Sequence, residues 1–132
     1  MSIVVVGVDG SEHADAALRF AAEEAALRGA TLRVVCGWQL PPSVTMDMGL
    51  APGLFESFRE EAETIVREAA EMAASLQPEV PRELRVVEGH AVEVLRQEAK
   101  DAVLLVVGTR GRSELAGIFL GSVSHHLLSQ AT

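Results

Sequence analysis

The stretch IVVVGVDGSEHADAALRFAAEEAALRGATLRVVC, residues 3–36, determines the fold. It begins and ends with runs rich in β-branched residues, at residues 3–8 and 32–36, which are typical of parallel strands buried on both faces. Between these runs, alanine and leucine recur every three or four positions over Glu12–Arg28, and Gly29 follows as a helix stop. The stretch therefore predicts a strand, a helix and a second strand.

The same alternation continues along the rest of the chain. Over Leu54–Leu76 one apolar stripe faces a glutamate-rich surface, which predicts a long helix. Strands that alternate with helices predict an α/β, doubly wound parallel sheet with helices on both faces. No strand follows the last helix, so the final, fifth strand of such a sheet is expected to be missing. The remaining predicted elements are strands at residues 84–87 and 103–107 and helices at residues 91–100 and 122–129.

The bulk composition limits the class of protein. The chain has 132 residues, of which 48% are hydrophobic, and this suits a single domain over residues 1–132. A formal net charge of -8 disfavours nucleic acid as a partner. No segment approaches the roughly 18 apolar residues of a membrane span, and no basic leader precedes the first strand. We therefore expect a soluble, cytoplasmic protein without membrane or nucleic-acid partners.

A glycine-rich stretch, GTRGRSELAGIFLGSVS at residues 108–124, predicts an anion site with the spacing G-x2-G-x9-G-S. Its glycines let the backbone approach phosphate oxygens, and its last part would supply the free amides at the start of a helix. The alternative is an ordinary loop with a serine N-cap. Neither a G-x-G-x-x-G after the first strand nor a P-loop occurs. The candidate phosphate-binding residues are Gly108, Arg110, Gly111, Arg112, Gly121, Ser122, Val123 and Ser124.

Two strand ends supply further candidates, because ligands of open parallel sheets bind beyond the carboxyl ends of the strands. Asp9 accepts hydrogen bonds from a ribose or adenine, helps to hold a magnesium ion through water, or caps the first helix in a capping box with Glu12. At the end of the second strand a flat base would lie against Gly37 and Trp38, unless Trp38 is simply a core residue. The irregular residues 41–53 predict a flap over this edge.

The sequence offers no pattern for a catalytic or metal centre. No serine stands in a nucleophile elbow, and the single cysteine, Cys36, is interpreted as a small core residue. The histidines are scattered and are interpreted as surface or hydrogen-bonded side chains rather than metal ligands. These are His13, His90, His125 and His126.

The opening residues 6–11, Gly89, and residues 104–111 with Gly121, Ser122 and Val123 together resemble the universal stress protein family. The resemblance runs through nearly the whole chain, and the spacing G-x2-G-x9-G-[ST] marks the ATP-binding branch. It implies a Rossmann-like sheet of five parallel strands with ATP and Mg2+ as ligands. Adenine would lie between the first two strand ends, with Asp9 near the ribose. The implied adenine-side residues are Gly7, Val8 and Gly37, and Val107 leads into the phosphate loop.

The chain departs from that family at His90 and Ala91, where a proline is often found near Gly89, and in two further places that bear on function. Relatives often carry a larger apolar residue where this chain has Gly37, which puts the strength of adenine binding in question. The family also dimerises through its fifth strand, which is expected to be missing here, so a strand-exchanged oligomer stands beside the ordinary homodimer.

Three functional hypotheses follow. The first is an ATP-binding regulatory protein of the stress response, in which nucleotide orders residues 41–53 and a loop at 112–120 and so alters the surface seen by an unidentified protein partner. The second is a nucleotide-free dimerising scaffold. The third is a slow ATPase or adenine-nucleotide hydrolase, which would need an S-G-G-x-D-S type of loop that Asp9, Gly10 and Ser11 do not provide.

Overall fold

The computed structural model describes residues 2–10, 12–39, 53–107 and 117–120. Among these residues, no helix is both long and apolar enough to cross a membrane. The predicted helix at residues 122–129, most of the flap at 41–53 and most of the glycine-rich stretch lie outside the described residues. The elements are β1 (Ile3–Gly7), α1 (Glu12–Arg28), β2 (Thr31–Trp38), α2 (Leu54–Leu76), β3 (Arg82–Glu88), α3 (Ala91–Glu98), β4 (Leu104–Val107) and β5 (Gly117–Leu120).

The sheet has the order β3-β2-β1-β4-β5, and its first four strands are parallel. The chain winds outward from β1 through β2 to β3 and then crosses back to place β4 on the other side of β1. Gly7 pairs with Val35 on one side of β1, and Val6 pairs with Val106 on the other. The direction of winding therefore reverses between β1 and β4, which confirms the predicted α/β, Rossmann-like architecture.

The central strands are apolar on both faces because helices cover both. Val4, Val6 and Val34 pack with α1 and α2, whereas Val5 and Val35 pack with α3. The valines of β1 are fully buried. In a strand with one face exposed to water, apolar and polar residues alternate. The continuous apolar run in β1 therefore reflects its position in the middle of the sheet.

The helices differ in how they cover the sheet. Helix α1 presents Ala21, Ala22 and Ala25, all fully buried, and these short side chains let its backbone lie close to the strands. Gly29 ends it with a positive φ of 64°, a conformation that glycine adopts without strain. Helix α2 buries Ala62, Val66, Ala70 and Ala73 and turns its glutamates outward.

At the far edge of the sheet, the structure corrects the last four residues of the loop predicted at 112–120. Gly117–Leu120 forms β5, which pairs antiparallel with β4 from Val107↔Gly117 to Leu104↔Leu120. Instead of the five parallel strands that the family resemblance implied, the described residues contain four parallel strands and one antiparallel strand. The outer edge of β4 carries backbone groups that need partners, and an antiparallel strand can reach them through a short connection.

One buried charge holds the opposite end of the sheet together. Arg33, near the start of β2, donates from Nε to Glu83 of β3 at 2.8 Å. Its Nη1 donates to the backbone carbonyl of Glu98 at 2.9 Å and to Asp101 at 3.0 Å. Sequence analysis treated residues 32–36 as an apolar run and missed this residue. Arg33 joins β2, β3 and the end of α3, and its hydrogen bond to Asp101 lowers the pKa of that carboxyl group.

Candidate functional site

The candidate site lies where the carboxyl ends of the parallel strands meet. Strand β1 ends at Gly7, and the Val8 N–H continues its pairing by donating to the carbonyl of Val35 at 2.9 Å. Asp9 follows directly. Strand β2 ends at Trp38 and β4 at Val107. Because the strands are parallel, all of these residues stand at one edge of the sheet, and the reversal of winding lies between β1 and β4.

Gly7 and Gly37, both predicted to face adenine, lie close to α3, and Gly37 also lines the cavity described below. A Cβ on Gly7 would stand 2.9 Å from Leu95 Cδ1, and a Cβ on Gly37 would stand 3.3 Å from Val94 Cβ and 3.4 Å from Ala91 Cα. Because these glycines have no side chain, α3 can lie close to the strands. A larger residue in place of Gly37 would require the start of this helix to shift.

On the other face of the sheet, a cavity of about 260 Å³ opens between β2 and α2. Its size is near the lower end of ligand pockets, which span about 300–1,000 Å³. Trp38 is buried and packs edge-on against Phe55, with ring centroids 4.9 Å apart. The cavity is lined by Asp9, Cys36, Gly37, Trp38, Gln39, Phe58, Glu61, Ala62 and Ile65.

The cavity combines apolar walls with two carboxylates. Asp9 and Glu61 are exposed at its mouth, while Cys36 is buried in its wall. Burial raises the pKa of the Cys36 thiol to about 11, and the negative charges of Asp9 and Glu61 act in the same direction. The thiol is therefore protonated at neutral pH and serves as a wall rather than a nucleophile. The carboxylates favour a ligand that brings hydrogen-bond donors, such as an amino group or a hydroxyl.

A second cavity of about 230 Å³ lies between α1 and α2. Gly10, at the turn from β1 to α1, has a positive φ of 86°, and Ile65 lines both cavities. A Cβ on Gly10 would stand 3.3 Å from Ile65 Cδ1, so the turn and the helix are in close contact. The lining residues are Val8, Gly10, Ala14, Asp15, Ile65, Glu68, Ala69 and Met72.

The structure brings only part of the predicted site together. Asp9 and Gly37 line the first cavity, Val8 lines the second, and Gly7 and Val107 pack beneath α3. The remaining predicted residues lie outside the described residues: Gly108, Arg110, Gly111, Arg112, Gly121, Ser122, Val123 and Ser124.

Helix α2 supplies the residues that sequence analysis did not assign to the site. Phe58, Glu61, Ala62 and Ile65 follow one another at helical spacing and all line the cavity. Phe58 and Ile65 were recognised only as members of the apolar stripe. The feature of the sequence that could have identified these residues was Glu61. It is an acidic residue one turn from Phe58, on the side of the helix that faces the sheet edge.

His90 agrees with its interpretation as a hydrogen-bonded surface side chain. It is the N-cap of α3, and its Nδ1 accepts a hydrogen bond from the Val92 N–H at 3.2 Å. Such a cap satisfies one of the amides left free at the start of a helix.

Known proteins share the sequence and the fold of this chain. The sequence profile of the universal stress protein family matches residues 1–132. A universal stress protein from Mycolicibacterium smegmatis is 35% identical over 132 residues, which is 98% of this chain and 42% of the relative. One from Mycobacterium tuberculosis is 36% identical over 129 residues, 97% of this chain and 42% of the relative. The chain thus spans less than half the length of these curated relatives.

Solved structures show the same fold. The universal stress protein from Archaeoglobus fulgidus is 28% identical with a TM-score of 0.68, covering 100% of this chain and 94% of that one. A universal stress protein structure from Archaeoglobus fulgidus in complex with dAMP is 26% identical with a TM-score of 0.53, covering 81% of this chain and 80% of that one. A universal stress protein in complex with cAMP is 27% identical with a TM-score of 0.62, covering 80% and 75%. From its sequence and its fold, this chain belongs to the universal stress protein family.

Proposed function

We propose that this chain is an ATP-binding regulatory domain of the stress response, acting in the cytoplasm as a homodimer. The observation that carries the proposal is the cavity of about 260 Å³ at the carboxyl end of β2, with apolar walls and two carboxylates at its mouth. Relatives whose structures hold cAMP and dAMP support the choice of an adenine nucleotide. This chain binds the nucleotide, and a protein partner recognises the nucleotide-bound form. The nucleotide is not hydrolysed rapidly.

The adenine ring occupies the cavity in this proposal. Trp38, Phe58 and Ile65 supply apolar and aromatic surface for a flat base, which gains stability from leaving water. The exocyclic amine of adenine donates to the Glu61 carboxylate, and a ribose hydroxyl donates to Asp9. Each is a hydrogen bond to a charged acceptor and contributes about 1.5–3 kcal/mol.

The phosphates point away from the cavity, because two carboxylates repel them. Strand β4 lies beside β1 at the point where the winding reverses, and Val106 pairs with Val6, three residues before Asp9. Gly108, Gly111 and the residues 121–124 supply amides and hydroxyls to the phosphate oxygens. Arg110 and Arg112 add positive charge, and Mg2+ bound to ATP reduces the repulsion among the phosphates.

The test is calorimetric titration of nucleotide-stripped protein with Mg-ATP. We expect the wild type to bind in the micromolar range, Gly121→Asp to lose binding because a carboxylate meets the phosphates, and Asp9→Asn to bind about tenfold or more weakly. Asp15→Asn is the matched control: it removes the same charge near the first turn of α1 but lines the second cavity, and should bind like the wild type.

Each of the other possible results would show that a different part of the proposal is wrong. A folded wild type that binds no nucleotide refutes the proposal and favours the nucleotide-free scaffold. If Asp15→Asn weakens binding and Asp9→Asn does not, the base occupies the second cavity. Release of phosphate at a rate comparable with ligand exchange would favour the hydrolase.

A further inference from the structure

The outer edge of β3 carries a regular set of backbone groups that face away from the sheet. At one end of its pairing with β2, the Leu32 N–H donates to the Pro81 carbonyl at 2.8 Å; at the other, the Gly89 N–H donates to the Trp38 carbonyl at 2.7 Å. A parallel ladder uses every second residue of each strand, so residues 81, 83, 85, 87 and 89 face β2. The backbone N–H and C=O groups of the alternate residues point outward, and no described strand pairs with them.

The side chains of those outward-facing residues have a specific order. Arg82, Leu84, Val86 and Glu88 lie on one face of the strand because side chains alternate along it. Arg82 and Glu88 are exposed, and Leu84 is 48% exposed, which is high for a leucine in a strand. From one end to the other the face reads positive, apolar, apolar, negative. When this order is reversed, it is complementary to itself.

We propose that the β3 edge is a self-association surface, on which a second copy of this chain adds its own β3 antiparallel and centred on Arg85. Arg82 then stands opposite Glu88 of the other copy, and Leu84 stands opposite Val86. In this register all outward N–H and C=O groups of the four residues form hydrogen bonds between the copies, and the two sheets become continuous. The surface is distinct from the β4 and β5 edge, and the proposal does not depend on nucleotide binding.

The other face of the strand is compatible with this arrangement. Arg85 would meet its own counterpart at the two-fold axis, but each Arg85 Nε already lies 3.4 Å from Glu98 of its own subunit. Glu83 is held by Arg33 at 2.8 Å and stands opposite Val87 in the proposed register. The charges near the axis are therefore compensated within each copy.

The charge order also excludes the competing arrangements. A parallel pair would place Arg82 beside Arg82 and Glu88 beside Glu88, and like charges directly opposite are destabilising. An antiparallel shift of two residues would place Arg82 opposite Val86 and leave both charges without a counterpart. Charged residues on edge strands usually prevent pairing. Here they favour one register, because only that register places opposite charges face to face.

Sedimentation velocity over a concentration series tests the proposal with a charge swap. We expect the wild type to dimerise, and Arg82→Glu and Glu88→Arg each to raise the dimer Kd about tenfold or more, because the symmetric dimer contains each altered pair twice. The double variant, Arg82→Glu with Glu88→Arg, restores opposite charges and should return the Kd close to that of the wild type. Arg67→Glu and Glu71→Arg, at exposed positions of α2, are the controls for net charge and should not change it.

A wild type that stays monomeric at all concentrations overturns the proposal, as does a dimer that is indifferent to the single charge changes. Hydrogen exchange of the wild type gives a test that does not depend on how the variants fold. The Leu84 and Val86 amides should exchange more slowly at high protein concentration than at low concentration. Equal exchange at both concentrations refutes pairing at this edge.

Discussion

The two ends of the parallel sheet use acidic residues in opposite ways. At the amino end of β2, Glu83, Glu98 and Asp101 surround the buried guanidinium of Arg33. At the carboxyl end, Asp9 and Glu61 border an open cavity. The first set pairs with a buried arginine inside the fold and therefore stabilises it. The second set lines an open cavity, so the same residue types hold strands together at one end of the sheet and border open space at the other.

The largest effect on stability should come from breaking the Arg33 cluster. Arg33→Met keeps most of the buried volume but removes four hydrogen bonds to charged or carbonyl acceptors, and we expect a loss of about 2–3 kcal/mol in the free energy of unfolding in urea. The matched control is Arg28→Met. Its pair with Glu24, at 3.0 Å on the surface of α1, contributes less than about 1 kcal/mol.

The same two variants test whether the two ends of the sheet have separate roles. Folded Arg33→Met should bind Mg-ATP with the affinity of the wild type, because the cluster lies at the other end of β2 from the cavity. Equal losses of stability in Arg33→Met and Arg28→Met would show that burial adds nothing to the cluster.

The next effect concerns Gly7, which lies at the carboxyl end but has a packing role. Gly7→Ala places a methyl group 2.9 Å from Leu95 Cδ1, and we expect destabilisation of about 1–3 kcal/mol by thermal or urea unfolding. Leu95→Ala removes the atom that collides, so the double variant should be more stable than the sum of the two single effects predicts. Additive losses would mean that Gly7 and Leu95 are not in contact.

The smallest effect is a pH dependence caused by Cys36. Because burial raises the pKa of this thiol from 9.0 to about 11, the fold disfavours the thiolate. The stability that the protonated Cys36 thiol contributes is complete below pH 9 and is lost as the pH rises from 9 towards 11. We expect a relative loss of about 1 kcal/mol by pH 10 in the wild type. Cys36→Ala should show a flatter stability curve between pH 8 and 10.5, and parallel curves would contradict the assignment.

Local pattern was sufficient for the elements that fill the core. The predicted bounds of α1 and α2 are confirmed, and β1 and β4 differ from their predicted ranges by one residue at an end. Strand β3 was predicted only at residues 84–87 because its flanking residues are charged, as is usual at an edge where one side meets water. Helix α3 ends at Glu98, two residues earlier than predicted, with Ala99 as its C-cap.

The candidate site was less accessible to sequence analysis than the fold. Asp9 could be identified because it follows a strand directly. Phe58 and Glu61 reach the cavity only through the packing of α2 against β2, which no local spacing encodes. The packing role of Gly7 and Gly37 depends in the same way on where α3 lies. Strand β5 had no recognisable signal, because four residues without a preceding turn motif look like any loop.

The pairing of β1 with β4 has a consequence for how the domain forms. Val4 and Leu104 are adjacent in the sheet but one hundred positions apart in the chain, whereas β1 and β2 are joined by a single helix. Closing so large a loop costs more chain entropy than closing a short one, and contacts of this range slow folding. A nascent chain can assemble β1, β2 and β3 before residue 104 has been synthesised. The crevice between β1 and β4 therefore forms late, whereas the cavity of about 260 Å³, whose lining residues end at Ile65, can form before β4 joins the sheet.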